Sequence, residues 1–331
     1  MAKRIAINGF GRIGRLTFRK LYNMPDVQIV GINDLTDPAT LAHLLKYDTA
    51  QGMFRDNVRV EGNTLLVDDE RIQISAIKNP AELWKGLDVD TVLECTGLFT
   101  DREKASAHVR PDGAKRVIIS APAKGSSVPT IVLGINDDTI DPAETIFSNA
   151  SCTTNCLAPL VKVLTDNFGI SSGSMVTIHA YTSDQNLQDA PHRDLRRARA
   201  AGMSIIPTST GAAAALKLVI PSIGDKLGAM SYRVPVITGS VVELNVILDK
   251  NATEAEINAA FQKASETRMK GILHYCIDPI VSSDIVRSPY SCVFDSLLTE
   301  VTGGMARVVG WYDNEAGYST RLAELAYKVT P

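Results

Sequence analysis

The stretch from Lys3 to Asp34 constrains this chain more than any other. Ile5-Ala6-Ile7-Asn8 reads as a strand and runs straight into Gly9-Phe10-Gly11-Arg12-Ile13-Gly14. Arg12 to Tyr22 then has helical spacing, with Ile13, Leu16 and Leu21 among its apolar positions, and Val27 to Asn33 reads as a second strand. Strand, crossover helix and strand make a βαβ unit, which implies a parallel sheet. The glycines fit G-x-G-x-x-G, and Asp34 ends the next strand about twenty residues further on. In that pattern Gly9 permits a tight turn, Gly11 lets backbone approach a pyrophosphate, and Gly14 lets helix and strand pack closely. The phosphates then lie at a helix N-terminus, where N–H groups and the dipole favour anions. Asp34 is placed to accept hydrogen bonds from an adenosine ribose, and its charge repels a 2′-phosphate, so NAD is expected over NADP. Three glycines in a turn that binds nothing is the bland alternative; the strand, helix and terminal acid together disfavour it.

The pattern continues through the first half. Val58-Arg59-Val60 and Thr64 to Val67 flank Glu61-Gly62-Asn63 as a hairpin insertion. Thr91-Val92-Leu93 and Lys115 to Ser120 read as further strands, with Thr100 and Glu103 as a capping box between them. Beyond about residue 150 longer alternating runs take over, such as Ser240 to Leu248, and Thr253 with Glu256 forms a second capping box. At 331 residues two domains are expected. The reading is an α/β fold: a Rossmann-type parallel-sheet domain over 1–150 and an α+β catalytic and oligomerisation domain over 151–314 with a mainly antiparallel sheet. The C-terminal helix, about 315–331, is expected to pack back on the first domain.

Composition closes off other classes. Hydrophobic residues are 45% and charged residues 21%, an ordinary globular profile. With 34 Lys+Arg against 37 Asp+Glu the net charge is −3, so no global positive field attracts nucleic acid or an anionic membrane. No apolar run is long enough to span a bilayer, and the first residues lack a signal-peptide core. Five cysteines in this length read as reduced thiols. A cytoplasmic enzyme without a dedicated nucleic-acid or membrane partner is expected.

Ser151-Cys152-Thr153-Thr154-Asn155-Cys156 lies between a short strand, Thr145 to Ser148, and an apolar helical run. That puts Cys152 near a helix N-terminus, a setting expected to lower its pKa. Cys156, one turn on, faces the packed side; the spacing fits neither a redox pair nor a zinc site, and no metal is expected. Cys95, Cys276 and Cys292 read as inert core thiols. A nucleophilic thiol needs a base. Of five histidines, His43 and His108 sit in helical stretches, His274 in a strand and His192 in a basic loop. His179 ends the strand Met175 to Ile178, which favours it as the partner of Cys152, although a lone histidine more often has a structural role.

Asn8 to Arg15, Ser148 to Pro159, Ser209-Thr210-Gly211-Ala212-Ala213 and Trp311-Tyr312-Asp313-Asn314-Glu315 together resemble the phosphorylating glyceraldehyde-3-phosphate dehydrogenases of bacterial type, in order along essentially the whole chain. The resemblance implies that Cys152 attacks the aldehyde to give a thiohemiacetal, that hydride passes to NAD, and that inorganic phosphate cleaves the resulting thioester to 1,3-bisphosphoglycerate. It implies His179 as base, Thr182 and Arg233 on the substrate's C3 phosphate, and Ser151, Thr153, Thr210 and Gly211 around the attacking phosphate. Asn314 would hold the nicotinamide carboxamide, and Gly9, Gly11, Arg12, Ile13, Gly14, Asp34, Thr96 and Ser120 the rest of the cofactor. The loop Asp189 to Arg199 resembles the family's loop at a subunit junction. Its four arginines read as interface salt bridges rather than an RNA site, and a homotetramer is expected.

Four stretches depart from the family pattern: Ala190, where a leucine is usual and the smaller side chain leaves room for some NADP use; Ala214-Ala215; Pro235 to Gly239; and Ala316. Two rival readings remain: an erythrose-4-phosphate dehydrogenase, which Thr210-Gly211 with Thr153 argues against, and a thiol redox-sensing regulatory protein, in which Cys152 would be oxidisable without catalysis.

Overall fold

The computed structural model describes residues 2–55, 57–125 and 127–331. The chain divides into two compact units: Met1–Ile131 with Thr139–Ala150 and Ser319–Pro331, and Val132–Asp138 with Ser151–Tyr318.

The first unit is built on one eight-stranded sheet. Its elements are β1 (Lys3–Asn8), α1 (Arg12–Leu21), β2 (Val27–Asn33), α2 (Pro38–Lys46), β3 (Val58–Glu61), β4 (Thr64–Val67), β5 (Glu70–Ser75), β6 (Val89–Glu94), α3 (Arg102–Ala105), β7 (Ala114–Ile119) and β8 (Ile146–Ser148). The order is β3-β4-β5-β2-β1-β6-β7-β8, parallel except for the β3-β4-β5 meander. The chain therefore leaves β1 toward β2 and later returns to its other side with β6. That reversal is a topological switch point, and Asn8, Asn33 and Glu94 end the three strands around it. The run Val89 to Glu94 is wholly buried, as a central parallel strand with two covered faces requires. The hairpin expected at 58–67 gains a third strand, β5, through a turn in which Asp68 is left-handed at φ 52°. One expectation fails here. Asp101, not Thr100, caps α3: its carboxylate accepts from the Lys104 N–H at 2.9 Å, so the helix starts one residue later and the Thr100–Glu103 box does not form.

The second unit contains α4 (Cys152–Asn167), β9 (Ile170–Ala180), β10 (Ile206–Thr208), α5 (Ala212–Val219), β11 (Leu227–Val234), β12 (Ser240–Leu248), α6 (Glu254–Glu266), β13 (Leu273–Cys276), β14 (Cys292–Asp295), β15 (Glu300–Thr302) and β16 (Met305–Tyr312). The sheet runs β10-β11-β9-β12-β16-β14-β13, with β15 beside β16. It is mainly antiparallel; β9-β11 and β13-β14 are parallel. Ser240, Val242, Leu244 and Val246 alternate inward along β12, where the sheet meets α4. Thr253 and Glu256 form the expected reciprocal box at the start of α6. The last helix, α7 (Ala316–Val329), is longer than its Arg321 to Tyr327 core of sequence signal. Its end is tied into the first unit, where Thr330 Oγ1 meets Thr91 Oγ1 at 2.8 Å and Arg116 donates to the Val329 carbonyl. No helix among the described residues is long and apolar enough to cross a membrane.

Candidate active site

At the switch point of the first sheet lies a cleft of about 460 Å³ lined by Asn8, Gly9, Gly11, Asn33, Asp34 and Thr96, among others. The glycine turn is shaped as its sequence requires. Gly9 is left-handed at φ 90°, and a Cβ on Gly14 would sit 2.2 Å from the Gly9 carbonyl oxygen. A Cβ on Gly11, by contrast, would meet nothing within 4 Å, and no side chain caps the first turn of α1. Open space above Gly11 and an uncapped helix start are what a pyrophosphate needs. Asp34 accepts from the Phe10 N–H at 2.7 Å and the Thr36 N–H at 2.9 Å, so it braces the turn while lining the cleft. The Arg12 side chain is held by Asp48. Burial works against the Asp48 carboxylate, but the Gln51 N–H and the Arg12 guanidinium keep it below the usual range. Cys95 also lines the cleft, and burial pushes its thiol up to about 12.

In the second unit Cys152 is the first residue of α4. The Ser151 hydroxyl caps that helix by accepting from the Thr154 N–H at 3.1 Å. Cys152 Sγ lies 3.4 Å from His179 Nε2, bringing together the end of β9 and the start of α4. The imidazole orientation follows from its other nitrogen, which sits 2.6 Å from the Ala180 carbonyl oxygen. A carbonyl only accepts, so Nδ1 carries the proton and Nε2 offers its lone pair to the thiol. His179 is buried, and burial, reinforced by the Arg233 charge, lowers it to about 3. The lowered thiol pKa expected from the helix start is corrected: burial raises Cys152, while Arg233 and the Thr153 hydroxyl and N–H oppose the rise. The free chain thus holds a thiol facing a neutral imidazole that can take its proton.

Parallel pairing of β9 and β11 sets Arg233 directly beside His179. Arg233 donates to the Thr182 hydroxyl at 2.8 Å and the Ala180 carbonyl at 3.2 Å. Thr182 in turn donates to Asp184, whose other oxygen is 2.6 Å from Arg197 Nη1. Arg199 is paired with Asp189 at 2.8 Å, so two of the four loop arginines, Arg197 and Arg199, are already engaged within this chain. Thr210 and Gly211 stand at the start of α5, a helix packed on α4, with Gly211 as its N-cap. Asn314 has its amide oxygen fixed by Ser240 Oγ at 3.0 Å, the Gly239 N–H at 3.2 Å and Thr238 Oγ1 at 3.3 Å, which leaves the NH₂ as the donating end. Ser120 directly follows β7, and Ile13 lies in the first turn of α1.

Sequence reasoning missed Tyr312 as a site residue. Its hydroxyl joins Thr153 Oγ1 at 2.9 Å to Thr177 Oγ1 at 2.8 Å, and its ring meets the His179 imidazole edge-on at 5.9 Å. Only its place in the Trp311 to Glu315 run hinted at it. Asp184 carried no signal beyond charge, and Arg197 was read only as one of the loop's salt-bridging arginines, whereas it pairs with Asp184 beside the site. Cys156 is in the core as expected, its thiol 3.5 Å from the Gly310 carbonyl oxygen.

Comparison with known proteins agrees with this geometry. Residues 3–102 match the family described as glyceraldehyde 3-phosphate dehydrogenase, NAD binding domain, and residues 151–314 match its C-terminal domain. The chain is 56% identical over 333 aligned positions to a glyceraldehyde-3-phosphate dehydrogenase of Mycobacterium tuberculosis, covering 98% of each. It is 54% identical over 332 positions to glyceraldehyde-3-phosphate dehydrogenase 1 of Streptomyces avermitilis, covering 99% of each. A dinucleotide cleft, a cysteine–histidine pair and similarity along nearly the full length converge: this chain belongs to the glyceraldehyde-3-phosphate dehydrogenase family.

Proposed function

We propose that this protein catalyses the NAD-dependent oxidative phosphorylation of D-glyceraldehyde 3-phosphate to 1,3-bisphosphoglycerate, with Cys152 as nucleophile and His179 as base. The contact of Cys152 Sγ with the lone-pair nitrogen of His179 is the observation that carries this reading. As sulfur attacks the aldehyde carbon, its proton passes to Nε2 and from there to the new oxyanion, so that a thiohemiacetal forms and Nε2 is free again. Bound NAD supplies the hydride acceptor for that carbon. His179 takes the hydroxyl proton as the carbon is oxidised, leaving an acyl thioester on Cys152. Inorganic phosphate attacks the thioester, and the thiolate departs with the carbon–sulfur electron pair.

Arg233 and Thr182, already joined at 2.8 Å, suit the C3 phosphate, since a guanidinium grips phosphate through two parallel donors. Ser151, Thr153, Thr210 and Gly211 supply hydroxyls and helix-start N–H groups for the attacking phosphate. Asn314 presents its NH₂ to the nicotinamide carboxamide, and Gly9, Gly11, Arg12, Ile13, Gly14, Asp34, Thr96 and Ser120 form the cofactor's other contacts. The same reading makes the protein a cytoplasmic homotetramer. Exposed Leu187, Leu195, Met203 and Ile205, all in or beside the 189–199 loop, support burial against another copy.

The test is the initial rate of NADH formation from NAD and glyceraldehyde 3-phosphate, with and without inorganic phosphate. A phosphate-dependent rate is expected; erythrose 4-phosphate as the better substrate, without phosphate dependence, would overturn the assignment. Cys152→Ser is expected to abolish turnover while leaving NAD affinity within about twofold, since the thiol lies outside the dinucleotide cleft lining.

A further inference from the structure

Behind the cofactor cleft, the first unit carries a buried polar cluster that the glycine turn and the cysteine chemistry do not use. Glu94, at the end of β6, is 1% exposed. Its Oε2 accepts from Asn8 Nδ2 at 2.6 Å and from His108 Nε2 at 3.0 Å. Its Oε1 accepts from the Thr96 N–H at 2.9 Å and from the Thr96 hydroxyl. The state of His108, itself fully buried, follows from its far nitrogen. Nδ1 faces the Trp84 indole N–H at 3.0 Å, and an indole can only donate. Nδ1 therefore accepts, and the ring proton sits on Nε2, aimed at Glu94.

Four donors thus converge on two oxygens. A carboxylate can accept at all four positions and brings no donor of its own, so the donor set selects an ionised group in the interior. A glutamine there would turn its NH₂ against at least one of them.

The chain of bonds runs on into the cleft. Asn8 Oδ1 accepts from Asn33 Nδ2 at 2.8 Å, and Asn33 Oδ1 accepts from Ser75 Oγ at 2.8 Å and the Ile77 N–H at 2.9 Å. Asn8, Asn33, Ile77 and Thr96 all line the cleft, and the strands they end or follow surround the switch point where such sheets bind ligands. Neither amide can flip without breaking the bond that orients the other.

We propose that Glu94 is a positioning residue of the cofactor cleft. Its carboxylate, aimed by His108, fixes Thr96 and the Asn8–Asn33 amide pair in the arrangement that receives the dinucleotide. The inference rests on the reading of this cleft as the NAD site. A knot that merely holds the sheet together would lower thermal stability and leave cofactor affinity alone, so affinity is the deciding readout.

NAD binding is measured by isothermal titration calorimetry on the full chain and its variants. Glu94→Gln is expected to raise the NAD dissociation constant about tenfold, the loss of one to two buried hydrogen bonds. The KM for NAD should rise in step, with kcat at saturating NAD changed less than about threefold. His108→Gln, which keeps one donor and one acceptor, should bind within about twofold of wild type, whereas His108→Leu should weaken binding like Glu94→Gln. A folded Glu94→Gln protein that binds NAD normally would overturn the proposal. So would equal affinities in the two His108 variants, which decide the matter if Glu94→Gln does not fold. Absence of NAD binding in the wild-type chain would sink the cofactor reading and this inference together; normal binding in wild type and all variants would sink the inference alone.

Discussion

At the scale of single residues, the site is organised by what each polar atom is obliged to do. The Ala180 carbonyl can only accept, and that fixes the His179 proton on Nδ1 and its lone pair toward Cys152. His179→Asn removes the proton acceptor at Nε2, so kcat should fall about 10²–10⁴-fold, the usual span of a general base. A variant retaining wild-type kcat would show that the thiol loses its proton elsewhere. Asp34 has two duties, bracing the Phe10 N–H and lining the cleft. Asp34→Ala should therefore weaken both cofactors, yet raise the NADP/NAD ratio of kcat/KM by removing the charge opposed to a 2′-phosphate. The ratio cancels the shared loss of bracing, and an unchanged ratio would place ribose selection at other residues.

At the scale of elements, helix starts do the positioning. α4 begins at Cys152 because Ser151 caps it, and Ala150 just before the cap is left-handed at φ 56°, which turns the chain sharply into the helix. α1 and α5 both have a glycine as N-cap; at α5 the Thr210 hydroxyl accepts from the Ala212 N–H at 3.3 Å, while the space above Gly11 at the start of α1 is open to an anion. α6 has a full capping box and no site residue. Thr253→Ala should cost about 1 kcal/mol of stability in urea unfolding with kcat unchanged, which separates structural from functional helix starts. A loss of activity in that variant would break the distinction.

At the scale of the whole molecule, pH reads out the buried histidine. The folded imidazole is held near 3 against an ordinary 6.5, so the unfolded chain binds the extra proton between those values. Stability should therefore fall as pH drops below about 6.5, by an amount on the order of several kcal/mol at the acid end. Asp48, held below its usual value, adds its loss only at lower pH, as the carboxylate itself protonates. The melting temperature of wild type should decline from pH 6.5 downward, and that of His179→Asn should stay level until the carboxylate range. Superimposable pH profiles would contradict the neutral buried state of His179.

Much of this molecule is legible along the chain because its signals are local. The strand–glycine–helix–strand–Asp34 run, the Thr253–Glu256 box and Cys152 at a helix start each lie within one or two neighbouring elements, where spacing dictates backbone geometry. The Thr100–Glu103 box failed on an equally local competition, since Asp101 is itself a strong cap one residue on. What the sequence could not supply was distance across elements. His179 stood out among five histidines by its strand end and by the family resemblance, but its contact with Cys152 exists only because folding sets the end of β9 against the start of α4. Arg233 joined it through strand register, and Tyr312 through contacts 159 and 135 positions away along the chain. The fold class, the glycine turn and the place of Cys152 at a helix start were legible along the chain, because they follow from periodicity and nearest neighbours. The Cys152–His179 contact, the tautomer of His179 and the donors gathered around the buried Glu94 came from the fold alone, because burial and hydrogen-bond partners exist only once distant segments meet.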